Sequence, residues 1–454
     1  MVAVFYFVVA ACIAELASAI PSSGGVYHWA TVTPGRRYGR LIGYLAGYWN
    51  YFAWVFGAAS MSSIFSNTVV QMYALTHPDF SAQPWHVFVT YIIATWIACL
   101  AVCFFNGAMP QLNNLGILFI IVGFVVTLIV VTVMPGTGGR PGHANSSFVW
   151  TEWQADIGYS NGFVFVAGML NGAYSVGTPD VVSHLAEEIP NPGRNVPLAI
   201  GFQMIIGFVT GLAYLIAIMY AINDYDALFQ SSYPIAEIYR QATGSAAGAV
   251  GLLMLVLLCI AVCMVGLYIT AGRQLWALAR DRATPFHRQV SRIHPRLEVP
   301  VWATILSGVL VTLLGCIYVG STTAFNAFVG SYVVMSSSSY IAAILPNLLT
   351  GRKNIVYGPF HLNKGYLGFV LNGTACAYMI VWFVIYCFPF ALPTTAASMN
   401  YASLIWGGLT IFIVAWWFIG ARHGYEGPKT TGGIVHTADL VREIRVRPPR
   451  GEKV

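Results

Sequence analysis

Eleven apolar stretches set what this chain can fold into, each long enough to cross a bilayer as a helix of about 20 residues. They lie near residues 2–20, 41–75, 85–105, 112–134, 160–185, 198–222, 247–278, 301–319, 324–348, 366–390 and 400–420. Charged residues make up only 8% of the 454, and hydrophobic residues 57%. Soluble domains carry about a quarter charged residues, so this chain could not cover a water-facing surface. That excludes a cytosolic enzyme, a nucleic-acid binder and a disordered regulator. Long helical runs exclude a β-barrel, whose strands are short and alternating. The fold class is an all-α polytopic membrane protein. The second and seventh stretches exceed the bilayer and are predicted to tilt or to extend beyond it.

The basic residues orient these spans. Of 22, only Arg140 and Arg240 fall in one set of loops; all the others fall in the alternate set or the tail. The second set includes Arg36, Arg37, Arg40, Arg194, Arg273, Arg280, Arg282, Arg288, Arg292, Arg296, Arg352, Lys353 and Lys364. The positive-inside rule places that set in the cytoplasm. The net charge of +6 therefore encodes orientation rather than acidic partners. An odd span count puts the N-terminus outside and the C-terminus inside. A cleaved signal peptide ending at Ala17-Ser18-Ala19 is rejected: it lacks a basic leader, Glu15 interrupts its apolar run, and its removal would reverse the charge rule. Asn145-Ser146-Ser147 is a glycosylation sequon on a loop placed outside. A membrane domain is read over 1–424. The basic segment 425–454, with Pro448-Pro449, is read as a disordered cytoplasmic tail. The eight cysteines lie in or beside spans and read as packing residues. No cofactor or metal motif is present in the sequence.

Charge inside a span costs roughly 2.5–3.5 kcal/mol at the helix centre. Glu15 and Asp180 stand out on that ground, and no lysine or arginine is placed at mid-membrane. Asp180 follows Gly177-Thr178-Pro179 in the fifth span. Proline removes a backbone donor and glycine eases departure from the helix, so an interruption is predicted at Gly177–Asp180. Irregular backbone at membrane depth survives where it is buried in protein or lines a cavity, which makes the break a substrate or ion site. A Pro kink with Asp180 bonded to neighbouring backbone is the alternative. A buried carboxylate there would seek a cationic headgroup. Glu15, one turn before Pro21, reads as a proton site or as an acceptor for the following loop. Trp49, Tyr174 and Tyr268 are candidates for holding a quaternary ammonium by cation–π attraction, against the plainer reading of aromatics as interface or packing residues.

Specific motifs go further. Glu15-x-x-Ser18-x-x-Pro21-x-x-Gly24-Gly25-x-Tyr27-x-Trp29 resembles the end of the second helix of amino acid–polyamine–organocation (APC) permeases. Ala186-Glu187-Glu188-Ile189-Pro190-Asn191-Pro192, followed by Arg194-Asn195-Val196-Pro197, resembles that family's loop after its sixth helix. Tyr357-Gly358-Pro359-Phe360 and Tyr425-x-Gly427-Pro428 are similar to the amino acid/choline branch found in fungi. The resemblance implies two inverted five-helix repeats plus two helices, with a site between broken helices. It also implies proton-driven uptake of choline, GABA or amino acids at the plasma membrane. It puts Asp180 at the substrate-site carboxylate and makes Glu15 and Asp180 the proton-coupling candidates. The family's first helix has no counterpart before Met1, so eleven of twelve spans are expected, and the chain is expected to be a shortened product. The competing readings are a channel, a receptor-like membrane protein, a membrane enzyme and an inactive truncated permease. A channel should show a ring-forming filter, a receptor a large extramembrane domain, and an enzyme convergent catalytic groups; none of these is seen in the sequence.

Overall fold

The computed structural model describes residues 1–138, 140, 142–153, 155–362, 365–425 and 427–428. These residues form helices and loops, with no strand among them. Lys364 and residues 429–454, most of the expected tail, lie outside the described residues.

The first helix, α1 (Val2–Ala19), stops ahead of Pro21, and Gly25 starts the short α2 (Val26–Val32) from a φ of +49°, open to glycine at little cost. The next three are α3 (Gly39–Thr76), α4 (Pro84–Phe104) and α5 (Met109–Val133). They are followed by α6 (Asn161–Val176), α7 (Pro192–Ala221) and α8 (Ala246–Arg280). The last third holds α9 (Val301–Gly320), α10 (Thr322–Gly330), α11 (Tyr332–Leu349), α12 (Tyr366–Ile385) and α13 (Ala402–Trp416). A π turn then carries α13 on to Gly424.

Among the described residues, nine helices are long and apolar enough to cross a membrane. The two expected spans outside this set are α3 and α6. α6 stops after 16 residues because the Gly-Thr-Pro run follows. α3 has 38 residues, about 57 Å of helix, and is the polar centre of the bundle. It packs on α2, α8 and α11, and its Asn50, Ser60, Ser62, Ser66 and Thr68 are buried in protein. A helix shielded from lipid by its neighbours need not be apolar all round. The ninth expected span is also divided, at Ser331 between α10 and α11.

The arginine-bearing loops meet at one end of the bundle. Arg40 donates to the Arg422 carbonyl, Tyr27 Oη donates to Asp281 at 2.9 Å, and Arg273 pairs with Glu188 at 2.8 Å. The other end is tied by Leu392 N–H to the Ile157 carbonyl and by the Trp150 indole to Tyr220. Asn145 is exposed at that second end. One basic residue departs from expectation. Arg352 lies in a loop as predicted, yet it is only 2% exposed. Gly351 and Arg352 both adopt positive φ, +67° and +58°, which turns the chain sharply back after α11 and tucks the guanidinium against α1.

Candidate functional site

The predicted interruption is present. α6 ends at Val176, residues 177–180 leave the helix, and a short 3₁₀ turn runs from Val181 to Leu185. Leaving the helix frees backbone carbonyls that must be satisfied. The Gly177 carbonyl accepts from Tyr332 Oη and Tyr340 Oη, each at 3.3 Å. The Thr178 carbonyl accepts from Gln203 Nε2 at 2.9 Å. Two neighbouring helices, α7 and α11, thus hold the break open as built structure.

Asp180 is fully buried at its centre. Its Oδ1 accepts from Tyr340 Oη at 2.6 Å, and its Oδ2 from Asn50 Nδ2 at 2.8 Å. His184 Nε2 stands 3.4 Å from Oδ2, and His184 Nδ1 stands 3.0 Å from the Ser23 carbonyl. Both neighbours of this ring are acceptors, so one proton beyond a neutral imidazole and an ionised carboxylate completes the line. The line continues outward: Ser23 N–H and Oγ donate to Glu187, which lies 3.7 Å from Arg280. Around the carboxylate stand aromatic rings. Trp54 meets His184 and Tyr332 edge-on at 5.9 and 6.4 Å, and Tyr174 meets Tyr332 at 5.2 Å.

A broken helix, a buried carboxylate and aromatic rings thus stand together inside the bundle. The amino acid permease model matches residues 1–412. The chain belongs to the amino acid permease family of the APC superfamily. A choline transporter of Saccharomyces cerevisiae is 32% identical over 432 residues, covering 94% of this chain and 74% of that protein. The transmembrane transporter swnT of Metarhizium robertsii is 31% identical, covering 92% and 82%. The amino-acid permease BAT1 of Arabidopsis thaliana is 26% identical, covering 93% and 84%. The permease is therefore a multi-pass transporter and not an enzyme.

The other predicted residues of the permease are distributed unevenly. Tyr174, Gly177, Thr178 and Pro179 stand with Asp180 at the break. Trp49 turns toward α13, where its indole donates to Thr410 Oγ1 at 2.9 Å and its ring lies 5.7 Å from Trp406. Tyr268, fully buried on α8, reaches Ser62 at 3.5 Å. Glu15 accepts from the Arg352 guanidinium and from Leu362 N–H, so the loop it serves follows α11 rather than α1. Within the protein, Asp180 is held by Asn50, Tyr340 and His184. Those three were not picked from sequence as site residues. A signal existed for two of them. Asn50 is an amide within an aromatic run of α3, and His184 lies four residues after Asp180.

Proposed function

We propose that this permease moves choline or a related amine or amino acid across the plasma membrane with proton coupling, its C-terminus in the cytoplasm. The observation that carries this reading is the fully buried Asp180 at the helix break, faced by Trp54, Tyr174, Tyr332 and Tyr340. An aromatic wall stabilises a quaternary ammonium by about 0.5–2 kcal/mol per ring, and a carboxylate supplies the counter-charge. The 32% identity to a choline transporter favours that amine over GABA. His184 Nε2, 3.4 Å from Asp180 Oδ2, makes the Asp180–His184 pair our candidate for the coupling proton. Other titratable groups near this line include Tyr332, Tyr340, Arg280, Asp281 and His28.

The test is uptake of radiolabelled choline, GABA and amino acids by permease-deficient cells. Asp180→Asn is expected to raise the apparent KM for a quaternary amine at least about tenfold, the effect of 1.4 kcal/mol, with Asp180→Glu milder. His184→Gln should abolish accumulation driven by a proton gradient while counterflow exchange continues. A surface-expressed Asp180→Asn protein with unchanged KM would overturn the cation-site reading.

A further inference from the structure

A second site lies at the arginine-rich end of the bundle, apart from the break. Between the end of α8, the short helix His287–Val290 and the last turns of α13 is a hollow of about 770 Å³. Arg280, Arg282, His287, Arg288 and Arg292 line it; among the described residues its lining contains no carboxylate, though Asp281 lies 3.5 Å from Arg280. Among the described residues, no ion pair engages Arg282, Arg288 or Arg292. Thr284 also lines the hollow; it is 5% exposed, and its hydroxyl has no hydrogen-bond partner. An orphaned buried hydroxyl costs free energy unless something completes it.

The loop that carries these groups is fixed. The Ala283 carbonyl accepts from Tyr48 Oη and from the Trp416 indole, each at 3.0 Å. Arg282 and Phe286 take positive φ of +61° and +52° on either side. The cationic groups therefore converge on a preformed recess.

We infer that this recess binds the phosphorylated headgroup of an anionic membrane lipid. Guanidinium forks match phosphate oxygens geometrically, and the Thr284 hydroxyl adds a short donor at the back. Three arginines with no ion pair among the described residues exceed what one phosphate of about −1.5 to −2 would neutralise, which points to a bisphosphorylated inositol headgroup. The rim decides for a lipid over a soluble polyphosphate. Phe286, which lines the hollow, is 77% exposed, and Phe418 and Ile419, in the same turns as the lining Gly420, are 61% and 74% exposed, a surface for acyl chains rather than for water. The arginine distribution assigns this face to the cytoplasmic leaflet, where anionic lipids reside. Arg280 belongs both to the recess and to the Glu187 contact, so an occupant would compete for that contact.

The experiment measures binding of short-chain phosphatidylinositol bisphosphate to the full chain purified in detergent, with phosphatidylserine and soluble inositol trisphosphate as parallel ligands. It needs no transport, so it stands or falls separately from the choline reading. The bisphosphate lipid should bind tightest. Arg288→Gln/Arg292→Gln should weaken it at least about tenfold, and Thr284→Val severalfold. Arg37→Gln/Arg296→Gln, outside the hollow, should leave binding unchanged. Thr284→Val keeps the test open if the double variant fails to fold. Absence of binding by the wild-type chain, or equal weakening by the outside pair, would overturn the site. Inositol trisphosphate binding as tightly as the lipid would overturn the lipid as its occupant.

Discussion

At the scale of single residues, the two in-span acids have opposite surroundings. Asp180 is met by an amide, a phenol and an imidazole, all able to rearrange. Glu15 is met by a buried guanidinium and a backbone N–H. Removing one partner of a buried ion pair costs about 3–5 kcal/mol, whereas replacing both can be neutral. Glu15→Gln is thus expected to lower the melting temperature in detergent sharply, and Glu15→Met/Arg352→Met to recover most of the loss. If Glu15→Gln melts like wild type and instead shifts the pH profile of uptake, Glu15 is a proton site. His28 provides a second test. It sits on α2, outside the spans, 2% exposed, with neither ring nitrogen hydrogen-bonded. Burial, helped by Arg280, pushes its imidazole down from 6.5 to about 4. The unfolded chain takes up this proton near 6.5 while the folded chain resists it to about 4. Stability from this group is full above about 6.5 and is lost as pH falls through that window. His28→Gln should flatten the pH dependence of melting between those values; an unchanged slope would assign acid sensitivity elsewhere.

At the scale of elements, the site depends on how α2 enters. Gly25 has φ +49°, and a Cβ there would come 2.6 Å from Ser183 Oγ and 3.2 Å from His184 Cε1. Gly25→Ala should therefore strain the turn and displace the 3₁₀ segment that carries His184. We expect uptake to fall severalfold with the protein still reaching the surface, and Ser183→Gly to restore part of it. Equal uptake by Gly25→Ala would show that the segment yields freely. This dependence was not legible in the sequence, although the break itself was. Gly177-Thr178-Pro179 announces an interruption through local chemistry alone. The partners that complete it come from α3, α7 and α11, and nothing local names them. Helical spacing sorts the α3 aromatics into faces, but it does not say which neighbour each face meets. Trp49 accordingly turned out to address α13, while Asn50 and Trp54 address the break.

At the scale of the molecule, charge placement and architecture agree on two ends. The apolar runs anticipated all nine helices that, among the described residues, are long and apolar enough to cross a membrane, and two more that are not. What they could not anticipate was the polar interior of α3 or the return of the chain that buries Arg352 against Glu15, contacts 337 residues apart. Orientation remains a matter of which end faces the cytoplasm. All basic residues except Arg140 and Arg240 belong to one set of loops or the tail, and contacts such as Arg273–Glu188 and Arg40–Arg422 join those loops at one end. Translocating so many positive charges would oppose the insertion bias, so that end is expected inside. Asn145, exposed at the opposite end, should then be glycosylated in a eukaryotic host, and Asn145→Gln should remove the mobility shift without changing uptake. A tag after residue 454 should resist protease on intact cells and be cut after permeabilisation. Cleavage of the tag on intact cells would reverse the orientation and place the arginine-lined recess outside.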